Sequence, residues 1–287
     1  MATKSILKGR PGRSRAGDAV NALLLIVAGA FMLLPMVFVV SNAFKPLDEL
    51  FVYPPRLFVR NPTWDNFAAL GSIFTDSWVP FSRYIFNTVF ITAASTLGQV
   101  AIASMAGYVL EKKRVPGIRA LFQIVVMSLM FTSGLTAIPN YVIMSRLHWI
   151  DTYAALIVPA CGASIGVFLM KQFMSNVPDT ILEAARVDGA GEQRIFWRIV
   201  MPNVRPAWLT LIIFTVQSMW GTTGGTFLYR EELKPLPYAL SQIVSSGIAR
   251  TGAGAAVSLL MMSVPIVTFV LTQRNVLQTM MSSGIKE

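Results

Sequence analysis

One serine in this chain stands in the spacing of a nucleophile elbow: Gly162, Ala163, Ser164, Ile165 and Gly166 read G-x-S-x-G. Such a serine attacks a carbonyl only where a strand-to-helix turn exposes it beside a general base. Here the pentapeptide lies inside an apolar run, and His148 is the single histidine of the chain. Close packing of small residues between helices therefore explains it better. The lone histidine also excludes an H-E-x-x-H zinc site, and the absence of any Gly-Lys dipeptide excludes a G-x-x-x-x-G-K-[ST] phosphate loop. His148 adjoins Trp149, a pairing suited to the headgroup level of a membrane. Cys161, the one cysteine, permits no internal disulfide and reads as a small buried thiol.

The remaining polar chemistry is neutral. All fourteen carboxylates fall in loops or at the ends of apolar runs, whereas ion-coupled carriers place ionisable groups at mid-membrane despite a cost of about 2.5 to 3.5 kcal/mol. Within the runs stand Asn87, Gln99, Gln123, Asn140 and Gln217. Amides of this kind suit hydrogen bonding to an uncharged, hydroxylated solute, and each also suits a bond between neighbouring helices. These five are the candidate solute-pathway residues.

What must position them is a set of membrane helices. The 287 residues are 54% hydrophobic and 13% charged, with a mean hydropathy of +0.58, too apolar for a soluble domain of this size. The pattern predicts an all-α integral membrane protein with six transmembrane helices, over about 19–40, 81–110, 118–144, 152–174, 207–226 and 251–273. The first apolar run is too long for a cleaved signal peptide. Pro139 and Asn140 suggest a break near the end of the third span, Asp151 or Thr152 a cap on the fourth, and Lys171 a side chain snorkelling from its end. The 41–80 connection predicts one or two surface helices, with Thr63 capping the second. Alternate connections hold 16 of the 24 lysines and arginines, while the acids divide evenly. The positive-inside rule then puts both termini and the connection around 179–206 in the cytoplasm. The net charge of +10 is accounted for by topology, because no basic face interleaved with aromatics suggests nucleic acid.

That connection, Asp179 to Pro206, is patterned as two short helices. Thr180 and Glu183 fit a capping box, Ile181, Leu182, Ala184, Ala185 and Val187 give an apolar face, and Gly189 and Gly191 mark a sharp turn. Ile195, Phe196, Ile199 and Val200 form one side of a second segment with Arg194 and Arg198 opposite, and Pro202 is expected to end it. On pattern alone the pair would serve equally as amphipathic helices resting on a membrane.

Glu183, Ala184 and Ala185, then Asp188, Gly189 and Ala190, Ile199 and Pro202, resemble the EAA loop of permease subunits of ATP-binding-cassette importers, with Met201 where that pattern usually has leucine. The exchange conserves volume. Asn61, Pro62 and Thr63 with Asn66 and Phe67, the segment Asp151–Leu156, and the terminal run through Gly284 extend the likeness to the carbohydrate-uptake, maltose-type permeases over nearly the whole chain. The resemblance implies a type I ABC importer permease fold, divided as residues 1–18 (cytoplasmic), 19–274 (transmembrane, with the coupling loop at 179–206) and 275–287 (cytoplasmic tail). It implies a heterodimer with a second permease, two ATPase subunits that use ATP and Mg, an external solute-binding protein, a sugar cargo and no cofactor held by this chain, in a bacterial cell membrane. Glu183, Ala184, Ala185, Asp188, Gly189, Ala190 and Pro202 would dock one ATPase, and Gly284 would reach between the two. Alternatives left open are an ABC permease for a non-sugar solute, an ion-coupled secondary carrier that needs no ATPase, and a non-transporting scaffold.

Overall fold

The computed structural model describes residues 15–73, 78–131, 133–247 and 250–283, and among these every regular element is helical. Four helices are long and apolar enough to cross a membrane: Gly17–Ala43, Phe81–Lys112, Ala154–Met174 and Thr251–Gln273. A fifth crossing is available if Glu192–Asn203 and Arg205–Trp220, which meet at a 77° bend, act together. We label the helices α1 Arg15–Ala43, α2 Leu47–Leu50, α3 Asp65–Ile73, α4 Phe81–Lys112, α5 Ile118–Ser128, α6 Ser133–Arg146, α7 Ala154–Cys161, α8 Ser164–Met174, α9 Asp179–Val187, α10 Glu192–Ile195, α11 Met201–Asn203, α12 Arg205–Trp220, α13 Leu236–Ser245 and α14 Thr251–Ser283.

The hub is α4, which packs against α7, α8 and α12 and also touches α5 and α13. Its buried ridge repeats every four residues through Asn87, Ile91, Ser95, Gln99, Ala103 and Gly107, the i±4 row that interdigitates between crossing helices. Small residues in and beside the row allow close approach. A Cβ on Gly107 would lie 2.9 Å from the Lys171 backbone nitrogen and the Met170 Cβ, and one on Gly98 would run into Cys161 Sγ. The apolar run that holds Cys161 and Ser164 thus reads as packing. Ser164 Oγ accepts a 2.6 Å hydrogen bond from Ser128, with no imidazole in attendance. Helix α14 packs on α1, α12 and α13, while α1 leaves most of its side chains exposed for lipid or another subunit.

Several expectations are corrected. The third run breaks at Leu129–Phe131, and Pro139 lies within α6, which continues past it; neighbouring backbone tolerates a proline in a membrane helix. Neither Asp151 nor Thr152 caps α7, whose start carries no side-chain cap bond. Asp151 instead sits at φ 63° and accepts hydrogen bonds from the Tyr229 and Arg230 amides at 3.0 and 2.9 Å and from Arg230 Nε at 2.6 Å. Burial pushes the Asp151 carboxyl upward, but these donors outweigh it and hold its pKa below the ordinary value. Lys171, part-exposed at the end of α8, has a defined partner there. Its Nζ pairs with Glu111 at 2.9 Å and lies 4.6 Å from the Phe122 ring centroid. His148 is exposed at φ 55° just after α6, where the Trp149 amide donates back to the Met144 carbonyl at 2.9 Å, so it closes a Schellman turn.

At the end opposite Lys112, two surface helices, α2 and α3, join α1 to α4. Thr63 Oγ1 accepts the Asp65 amide at 3.1 Å, but the cap position is Trp64, whose carbonyl takes the first bonds of α3 from Phe67 and Ala68, so Thr63 supports the helix start from one residue earlier than expected. Buried Lys45 donates to Asn42 Oδ1 at 2.7 Å, buried Glu49 accepts the Arg60 amide at 2.9 Å, and Asn66 Nδ2 donates to the Ala43 and Lys45 carbonyls.

Candidate functional site

The segment from α9 to α11 lies beside the basic turn Glu111–Arg119 and is built on one glycine. Gly189 has φ +77°, the Ala190 amide donates to the Ala185 carbonyl at 2.9 Å, and the Gly189 amide donates to Arg186 at 3.0 Å. That is a Schellman termination of α9, and a residue with a Cβ is strained in it. Gly191 needs no such freedom, with φ −68° as the residue before α10. The expected capping box is absent: α9 begins at Asp179 after Pro178, and no side chain caps it, so Thr180 and Glu183 lie inside the helix.

Beyond Gly191 the chain forms α10, a π turn over Phe196–Val200 and α11. Pro202 ends the segment to within a residue, since α11 closes at Asn203 and the chain there bends by 77° into α12. It stands in the first turn of α11, where its missing N–H costs little, and the Met201 amide closes the wide turn onto the Phe196 carbonyl. Leu182, Ile195, Phe196, Val200 and Val204 are buried against Ala103, Tyr108, Met170 and Met174 of α4 and α8. The first segment's apolar face is narrower than its sequence suggests, since Ile181 is 45% exposed and Val187 88% exposed while Leu182 alone is buried in α9.

Charge fastens the same contact. Glu192 accepts a hydrogen bond from Tyr108 Oη at 2.7 Å, pairs with Lys113 Nζ at 2.6 Å and receives Arg186 Nε at 3.2 Å. The Lys113 and Tyr108 bonds dominate a small opposing burial effect and lower its pKa to about 2. Lys112 Nζ bridges the Val177 carbonyl at 2.6 Å and Asp179 at 2.8 Å, and this bond holds the Asp179 carboxyl below its usual range. Two acids of the segment are thus tied to the last turn of the hub helix.

Glu183, Ala184, Asp188, Gly189 and Pro202 are exposed, whereas Ala185 and Ala190 are half-buried and pack against the anchoring cluster. Val187 and the 58% exposed Trp197 add apolar surface beside them. Gly284 lies outside the described residues. Among the described residues no three His, Cys, Asp or Glu side chains converge as a metal site would require.

The five amides separate into two kinds. Asn87 is fully buried and committed: its Nδ2 donates to the Glu232 and Lys234 carbonyls at 2.8 and 2.9 Å, and its Oδ1 accepts from Tyr153 Oη at 2.6 Å. Gln99 accepts from Thr215 Oγ1 and borders a cavity of about 100 Å³. Gln123 and Gln217 are exposed, and Asn140 half-exposed, on α5, α12 and α6. Sequence reasoning missed the Glu192 and Asn87 clusters, because each joins residues far apart in the chain through one carboxylate or amide.

A ridge of four-residue spacing on a hub helix, several apolar crossings and an exposed polar loop anchored to the hub's end describe an all-helical, multi-pass membrane protein. The chain belongs to the family of binding-protein-dependent transport system inner membrane components, whose sequence pattern matches residues 99–281. Among its relatives, the polygalacturonan/rhamnogalacturonan transport system permease protein YtcP of Bacillus subtilis (strain 168) is 28% identical over 240 residues, covering 82% of each chain. The sn-glycerol-3-phosphate transport system permease protein UgpE of Yersinia enterocolitica is 27% identical over 208 residues, covering 72% of this chain and 74% of the relative. A chain in the crystal structure of a bacterial ABC transporter involved in the import of the acidic polysaccharide alginate shares the fold, with a TM-score of 0.80 at 20% identity over 92% of this chain and 99% of that one.

Proposed function

We propose that this chain forms half of the translocation pathway of an ATP-binding-cassette importer for a sugar or oligosaccharide delivered by an external solute-binding protein. A second permease completes the pathway, and two cytosolic ATPases, which hold ATP and Mg, supply the energy; the chain itself catalyses nothing. Six crossings follow if α5 and α6 together make the third and α12 the fifth. Residues 1–18, the 179–206 loop and 275–287 then face the cytoplasm around a transmembrane unit of 19–274. The fold likeness to the alginate transporter and the polysaccharide named for YtcP support a carbohydrate cargo.

The loop carries the mechanism. Glu183, Ala184, Ala185, Asp188, Gly189, Ala190 and Pro202 present the face that docks an ATPase, and the tail around Gly284 reaches between the ATPases. Its buried side is clamped to α4 and α8 by apolar packing and by Glu192. ATP-driven closure then shifts the loop as one body with the hub helix, opening one end of the pathway and shutting the other. ATP can drive this only because it binds the two states unequally. Asn140 and Gln217, less committed than Asn87, line the route together with Gln99 and Gln123.

The test is reconstitution of the four-subunit complex in liposomes with its binding protein and a panel of sugars. Cargo-dependent ATP hydrolysis and uptake are expected, together with disulfide cross-linking of a Val187→Cys variant to the ATPase. Uptake by this chain alone, or a loop that never cross-links, overturns the proposal. The relative named for sn-glycerol-3-phosphate favours one second reading, a small polyhydroxylated non-sugar cargo. Uptake of a glycerol phosphate in preference to every sugar would establish it.

A further inference from the structure

The turn between α4 and α5 is flanked by two cavities of opposite character that share Leu110, Val115 and Ile118. One, of about 830 Å³, lies at the basic end and is lined by Lys113, Arg114, Arg119 and Lys171 against a single acid, Glu111. Lys113 and Lys171 are already matched to Glu192 and Glu111. Arg114 and Arg119, both exposed, have no carboxylate within 4.0 Å among the described residues. The other cavity, of about 600 Å³, is apolar and runs from the turn along both helices, between Met105 and Val109 of α4 and Leu121 and Val125 of α5. Seven residues of helix separate Ile118 from Val125, so the groove descends roughly 10 Å from the charged end.

We propose that these two cavities form one site for an anionic glycerophospholipid, its phosphate held by Arg114 and Arg119 and the upper part of an acyl chain laid along Val109 and Leu121. The occupant has to be anionic at one end and apolar at the other, and the change of character falls where α4 and α5 leave the apolar layer. A phospholipid of the inner leaflet meets all three conditions, because unpaired basic pockets between membrane helices on the cytoplasmic side attract anionic headgroups. A soluble phosphate ester leaves the apolar groove empty and Leu121, 55% exposed, uncovered. The site also touches the coupling contact, since Lys113 lines the headgroup cavity and pairs with Glu192. The proposal rests on the cytoplasmic placement of this turn, but the binding itself is measured without reference to transport.

The test is native mass spectrometry of the whole complex in detergent, titrated with phosphatidylglycerol or phosphatidylcholine. Phosphatidylglycerol should be retained in preference, and a double variant, Arg114→Gln with Arg119→Gln, should lose about fivefold or more of that preference. A second variant, Leu121→Trp, keeps the cations and fills the groove; it should weaken retention of both lipids. Assembly of each variant is visible in the same spectra. Equal retention of the two lipids by the native complex, unchanged retention in either variant, or displacement of the lipid by millimolar glycerol phosphate alone would overturn the proposal. So would cross-linking of a Val109→Cys variant to the second permease, which would place a protein helix in the groove.

Discussion

Gly189 and Gly191 are two residues apart and make opposite demands on substitution. At φ +77° a side chain costs about 1 to 2 kcal/mol although nothing stands within 4 Å of the site, whereas Gly191 has an ordinary φ and equally open space. A Gly189→Val variant is therefore expected to assemble but lose cargo-stimulated ATP hydrolysis, while Gly191→Ala retains it. Equal activity of the two in the reconstituted complex would remove the turn from the mechanism. Glu192 makes a pH-dependent contribution. Its folded pKa of about 2 lies below the unfolded carboxylate value, so its stabilisation is complete above about pH 4.5 and is lost as pH falls toward 2. Its side chain is 46% exposed, so solvent screening limits the effect of Glu192→Gln to about 1 kcal/mol. Thermal unfolding of the purified complex should show a gap between native and variant that is constant from pH 7 to 5 and narrows below. At this scale the exposed face of the loop was legible, because its residue types and spacing sit in one short segment. Tyr108 and Lys113 were not, since nothing local in the long α4 sequence marks which of its turns will meet an acid eighty residues away.

Helix α4 is legible as a helix and opaque as a hub. Its length and apolarity announce a crossing, and its ridge of small and polar residues at four-residue spacing was there to be read, but which neighbours fill the grooves depends on the fold. Gly98 and Cys161 form one such contact. Alanine at 98 would meet Cys161 Sγ, whereas Cys161 Cβ would remain 3.5 Å away, an ordinary separation. We expect Gly98→Ala to cost roughly 1 to 3 kcal/mol by overpacking. Cys161→Ala should relieve it, and the double variant should show a favourable coupling of about 1 kcal/mol or more in detergent melting curves. Additive effects would mean that the two helices are less closely apposed. Breaks were the less legible part of the elements. Pro139 looked like the interruption of the third run and is carried inside α6, while the real break at Leu129–Phe131 has no proline to mark it. Pro202, by contrast, marks the end of its segment to within a residue, because α11 stops at Asn203. For Pro139 the neighbouring backbone decided the outcome, which residue type alone does not encode.

For the whole molecule the decisive quantity is which side of the membrane each end occupies, since the proposed docking to a cytosolic ATPase requires the loop to face inward. The two ends differ in what fixes them. At one, Asp151 and Arg230 clamp the 227–236 connection to the turn before α7, and Tyr84 Oη donates to Glu231 Oε1 at 2.6 Å. At the other, Lys112 and Lys113 hold Asp179 and Glu192. In the orientation we propose, the surplus of lysine and arginine around the second end puts it in the cytoplasm. Because Cys161 is the one native thiol, a Cys161→Ala background allows single reporters on each side. Tyr229, 57% exposed, and Trp197, 58% exposed, lie in the two connections and suit the purpose. In right-side-out vesicles a membrane-impermeant maleimide should label Tyr229→Cys within minutes and leave Trp197→Cys unmodified until the vesicles are opened. Adding the assembled ATPases to opened vesicles should then protect Trp197→Cys, close to the proposed docking face, and leave Tyr229→Cys reactive. Labelling of Trp197→Cys alone from outside would reverse the proposed orientation, and labelling of both sites from outside would put both connections on one side; either outcome overturns the coupling of this loop to a cytosolic ATPase.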